Sequence, residues 1–95
     1  VRFSMMCESR EDIKNNVGLI IKRLRKFRMF TREDLSKAAG VSVNTLYFCE
    51  NGKTALTVDN LFKICHGLRV SPVTLLSMAI QEMEKARDEK TERAV

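Results

Sequence analysis

Thr31-Arg32-Glu33-Asp34-Leu35-Ser36-Lys37-Ala38-Ala39-Gly40-Val41-Ser42-Val43-Asn44-Thr45-Leu46-Tyr47-Phe48-Cys49-Glu50-Asn51-Gly52-Lys53 reads as two short helices joined by one tight turn. Thr31 is a suitable N-cap, and Asp34 stands three residues on, where an acid completes a capping box. Leu35 and Ala38-Ala39 fall on one face of the first helix. Gly40 stands where the chain must leave that helix through a left-handed conformation, which a residue without Cβ adopts cheaply. Ser42 then caps a second helix whose inward residues are Leu46 and Cys49, and Gly52 ends it. Helix, glycine turn and capped helix form the layout whose second helix can enter a DNA major groove.

The same punctuation extends in both directions. Upstream, Ile13, Val17, Ile20/Ile21, Leu24 and Phe27 recur at helical spacing, which predicts a helix from about Ser9 with these residues facing the core. Residues 1–9 have little periodicity and read as a loose arm. Downstream, residues 53–56 form a linker. Thr57 caps a fourth helix with Val58, Leu61, Phe62, Ile64 and Cys65 available for packing, and Gly67 stops it. Ser71-Pro72 opens a fifth helix, proline being well tolerated in a first turn. It carries Leu75, Leu76, Ala79, Ile80 and Met83. Residues 10–83 thus form the domain. Residues 84–95 form a charged tail that continues the fifth helix for a turn or two and then frays, having nothing to bury. No strand candidate is present, so the expected fold is all-α.

Composition narrows the function. Ninety-five residues make one domain, too small for a separate sensor or catalytic unit. The net charge is +5 and unevenly placed: residues 1–40 hold ten Lys/Arg against five Asp/Glu, and the remainder seven of each. Lys22, Arg23, Arg25, Lys26 and Arg28 follow one another with no acid between them, which suits a polyanion. Cys7, Cys49 and Cys65 form no metal-ligand set, so neither a metal nor another cofactor is expected. Cys49 and Cys65 read as small buried hydrophobes in a reducing cytoplasm. His66 has no acid partner nearby. No nucleophile–base set, carboxylate pair or phosphate loop points to an enzyme. No stretch approaches membrane-spanning length.

The run resembles the Cro/CI-type helix-turn-helix family of phage repressors and small bacterial regulators, over roughly residues 14–80. The matching elements are Leu24-Arg25, then Thr31-Arg32-Glu33-Asp34-Leu35, Ala39-Gly40-Val41-Ser42, Glu50-Asn51-Gly52-Lys53-Thr54 and Leu68-Arg69-Val70-Ser71. This resemblance implies a compact five-helix, lambda-repressor-like domain that binds double-stranded operator DNA as a homodimer.

It also implies roles. Val43, Asn44, Tyr47 and Phe48 take the positions that face base edges. Arg32 takes a phosphate-binding position at the start of the second helix. Ser42, Thr45, Lys53 and Thr54, with Arg23 and Lys26 of the first helix, complete the backbone contacts. Arg25 and Glu50 match an intradomain ion pair. Asn44 offers the bidentate chemistry that adenine accepts, whereas Val43 and Phe48 suit thymine methyl groups. Tyr47 and Phe48 are consecutive, so at least one ring must lie exposed. The apolar stripe of Leu75, Leu76, Ala79, Ile80 and Met83 is the expected dimer seam. The competing expectation is an antitoxin-like module that uses this last helix to hold a protein partner, with DNA binding secondary.

Overall fold

The computed structural model describes the backbone of residues 10–94 and the side chains of residues 12–86. The proposed arm, residues 1–9, lies outside the described residues. Five helices follow one another: α1 (Arg10–Phe27), α2 (Arg32–Ala39), α3 (Val43–Glu50), α4 (Val58–Leu68) and α5 (Pro72–Ala94). No strand occurs among the described residues, and no helix there is long and apolar enough to cross a membrane.

Local chemistry explains most of the boundaries. The Thr31 hydroxyl accepts from the Asp34 amide at 3.1 Å and the Asp34 carboxylate accepts from the Thr31 amide at 3.0 Å. These reciprocal bonds satisfy two amides that helix geometry leaves without partners. Gly40 takes φ 75° and its amide donates to the Ser36 carbonyl, closing α2. Ser42 and Thr57 cap α3 and α4 through the amides of Thr45 and Asn60. The Ser71 hydroxyl accepts from Val73 at the start of α5.

α1 packs chiefly on α5 and α3, while α2 packs on α4. Ile20, Ile21, Leu35, Leu46, Ile64, Leu68 and Leu75 meet in the middle with no exposed surface. Each such side chain contributes about 1.5–3 kcal/mol on leaving water. Helices approach closely where a side chain would not fit. A Cβ on Gly18 would lie 2.1 Å from the Cys49 carbonyl oxygen, so α1 rests directly on the end of α3.

Several sequence expectations are corrected here. Phe27 is 84% exposed, because α1 ends there and the chain turns away through Met29 at φ 60°. Ile13, near the other end of α1, is half-exposed beyond the reach of the core. On α4, Val58 and Phe62 are exposed. Phe62 stands about 100° around the helix from Leu61, off the stripe that faces inward. Gly67 does not end α4. It lies within the helix, where an added Cβ would come 3.0 Å from Ala39, and the left-handed stop is Arg69 at φ 58°. Finally, α5 runs to Ala94, well past one or two turns beyond residue 83.

Candidate nucleic-acid interface

The turn from α2 into α3 is held from inside. Leu35, Ala39, Val41 and Leu46 are buried on either side of it, and the Ser36 hydroxyl donates to the Val41 carbonyl across it. This locks the outer face of α3 relative to α2. α3 is only eight residues long, with no acid in its first turn and no base in its last. Burying Leu46, Cys49 and Glu50 therefore turns Asn44, Tyr47 and Phe48 outward, all three exposed, with Val43 half-buried at the rim. Tyr47 and Phe48 are 44% and 43% exposed and meet edge to face, their ring centroids 5.6 Å apart.

Ser42 and Thr45 sit together at the N-terminus of α3. The Ser42 hydroxyl accepts from the Thr45 amide and donates to Thr45 Oγ1 at 2.8 Å. Ser42 is thus engaged locally, and the Thr45 hydroxyl hydrogen is the donor left to the pair. At the other end, the Asn51 side-chain amide donates to the Tyr47 carbonyl at 2.8 Å, and the Gly52 amide to the Cys49 carbonyl. Those two groups are helix caps. Lys53 and Thr54 follow in the exposed loop.

Beneath α3 lies the strongest electrostatic feature. Arg25 gives Nε to Glu50 Oε2 at 2.6 Å and Nη2 to Oε1 at 3.1 Å, with Nη1 on the Phe30 carbonyl. Both side chains are buried, and these three bonds satisfy the guanidinium on every nitrogen. Arg32 joins the same carboxylate, Nε to Oε1 at 3.1 Å, and its guanidinium carbon stands 5.1 Å from the centroid of the Tyr47 ring. That second arginine is invisible to sequence reasoning, because it depends on how α2 crosses the end of α3. Its bond uses Nε, which leaves the two terminal nitrogens available to an anion.

Other expected residues fall apart from this cluster. Lys26 is exposed at the end of α1. Arg23 instead donates to Glu82 of α5 at 2.8 Å, an α1–α5 tie with both groups partly in water. That guanidinium holds the Glu82 carboxyl below the usual carboxylate range, first through the hydrogen bond and then through charge. Cys49 and Cys65 are buried thiols raised above their ordinary value by desolvation, Cys49 also by the Glu50 charge. No group of residues suited to a metal ion occurs among those described.

The expected dimer seam is corrected in part. Leu75 and Ala79 are 0% and 1% exposed, packed within the protomer, and cannot touch a second copy. Leu76 remains 39% exposed, with Ile80 and Met83 half-buried. Leu76 also borders an apolar groove of about 390 Å³ between α1, α4 and the loop after α3, with Ile13, Leu56 and Leu61 in its walls.

Comparison with known proteins agrees with this geometry. A helix-turn-helix family model matches residues 21–75. Among solved structures, the clp gene regulator ClgR from Corynebacterium glutamicum is 25% identical with a TM-score of 0.77, covering 86% of this chain and 88% of its own. The wild-type restriction-modification controller protein C.Esp1396I is 30% identical with a TM-score of 0.72, covering 77% of this chain and 95% of its own. The controller protein C.AhdI from Aeromonas hydrophila, at 22% identity and a TM-score of 0.63, shares the fold. Comparison with curated protein sequences gives no match. With the capped α2–turn–α3 unit matched in sequence and in three dimensions, the chain belongs to the Cro/CI-type helix-turn-helix family.

Proposed function

We propose that this chain is a sequence-specific DNA-binding transcriptional regulator that acts as a homodimer on a palindromic operator. The observation that carries this reading is the outward face of α3. Asn44, Tyr47 and Phe48 stand exposed on a helix whose base is fixed by a buried ion pair. A reading helix needs that combination: side chains free to meet bases on a frame that does not move. Two similar structures are described as a gene regulator and a restriction-modification controller, which supports the same class.

Asn44 bonds adenine, while Phe48 and Val43 lie against thymine methyl groups. Arg32, Thr45, Lys53, Thr54 and Lys26 hold phosphates. Arg23 contributes only when it leaves Glu82. Two copies related by a twofold axis place their α3 helices one DNA turn apart, roughly 34 Å centre to centre. The accessible face of α5, from Leu76 through Ile80 to Met83, forms the seam. Bound at a promoter, such a dimer represses by excluding polymerase.

Selection of bound sequences from a random duplex pool tests the reading. A palindromic motif with half-sites one turn apart is expected. Failure to enrich any sequence contradicts it.

A further inference from the structure

The buried Glu50 carboxylate already has a complete partner in Arg25. Two bonds of the Arg25 fork reach its two oxygens, and both side chains lie almost wholly out of solvent. Arg32 adds a third bond from a side chain that keeps about 30% of its exposure. Charge compensation does not require it. What the bond does settle is where the Arg32 guanidinium lies: over the face of Tyr47, 5.1 Å from the ring centroid, within the range of a cation–π contact. Tyr47 in turn meets Phe48 at an interplanar angle of 68°. A continuous set of contacts therefore runs from the buried pair, through Arg32, to both aromatic rings on the outer face of α3.

We propose that Arg32 is a positioning residue for DNA reading: it carries the fixed frame of Arg25–Glu50 to Tyr47 and holds the Tyr47–Phe48 pair in one orientation against the base edges. This rests on α3 being the reading helix. A ring already held in its bound orientation loses less freedom on binding, so the contact raises preference for the right sequence. Lysine at this position keeps the positive charge that a phosphate needs. It lacks the planar face and the Nε–H that join ring to carboxylate, so it separates charge from position.

The chain has one tyrosine and no tryptophan, so the tyrosine band of the near-ultraviolet circular dichroism spectrum reports Tyr47 alone. Arg32→Lys should keep the helical far-ultraviolet spectrum and lose much of that band in the free protein. On a duplex enriched by the wild-type protein from a random pool, it should bind about threefold to tenfold more weakly, the scale of one cation–π contact. On a scrambled duplex its salt slope should match the wild type, because lysine keeps the charge, and its loss of affinity there should be smaller than on the enriched duplex. In a Tyr47→Leu background, Arg32→Gln should cause no further loss of preference, which decides the matter if Arg32→Lys alone misfolds. A wild-type tyrosine band, or an unchanged preference between the two duplexes, overturns the positioning role while leaving α3 as the reader. Failure of the wild-type protein to enrich any duplex instead removes the DNA reading, and this proposal with it.

Discussion

At Glu50 a single carboxylate meets two arginines, yet the two are not equivalent. Arg25 is buried and gives it a fork, whereas Arg32 reaches it from the partly exposed side. Removing the carboxylate strands the Arg25 guanidinium in the interior with only the Phe30 carbonyl left. Glu50→Ala should therefore destabilise the fold by about 3–5 kcal/mol, read by denaturant unfolding. Normal stability with lost DNA binding would instead place Glu50 at the DNA. The buried thiols provide a second check at this scale. Desolvation keeps Cys49 and Cys65 in the thiol form at neutral pH, so alkylation of both should wait on unfolding. Peptide mapping after brief labelling of the native protein checks this, and rapid labelling of Cys49 would show that α3 opens locally.

Among the elements, the second and fourth helices show how far local sequence reaches. The Thr31–Asp34 box, the Gly40 turn and the caps at Ser42 and Thr57 are set by neighbours within four residues, and all are readable from the chain. The end of α4 is not. Gly67 looks like a stop, but its missing side chain serves the approach of α2, and Arg69 takes the left-handed conformation instead. Such information belongs to tertiary packing. Since a side chain in that conformation costs about 1 kcal/mol, Arg69→Gly should raise stability by up to about that amount. A lowered melting temperature would show that the Arg69 side chain contributes more than its strain. The capping box makes a prediction of its own. Thr31→Ala should cost about 1 kcal/mol. The Thr31 amide, then its hydroxyl, hold the Asp34 carboxyl below its ordinary value. The stabilisation from that carboxylate is therefore present above the ordinary carboxylate range and is lost as pH falls through the lowered folded value. In acid titrations the wild type should lose stability in that window, and Thr31→Ala should lose less.

For the whole molecule, the fold was legible because the caps at Thr31, Ser42, Thr57 and Ser71 and the Gly40 turn follow one another in the order of the Cro/CI-type family. The site was legible only as a face. Which residues of α3 point outward follows from burying Leu46 and Cys49, but the Arg32–Tyr47 contact needs the crossing of α2 over α3. Likewise the stripe on α5 looked continuous in sequence, and only packing on α1 divides it into core (Leu75, Ala79) and surface (Leu76). That division predicts assembly. Leu76→Glu should leave a folded monomer with sharply weaker operator binding, measured by sedimentation. A variant that still sediments as a dimer would move the seam to another surface. The central claim, that the outer face of α3 reads bases while the basic loop after it holds the backbone, is tested most directly by salt titration of Asn44→Ala and Lys53→Ala. Each is measured on the enriched duplex and on a scrambled one. Asn44→Ala should cost roughly 1–3 kcal/mol on the enriched duplex alone, with an unchanged salt slope. Lys53→Ala should weaken both duplexes alike and make the slope shallower by about one unit. If the two variants prove indistinguishable across both duplexes, α3 does not read the sequence.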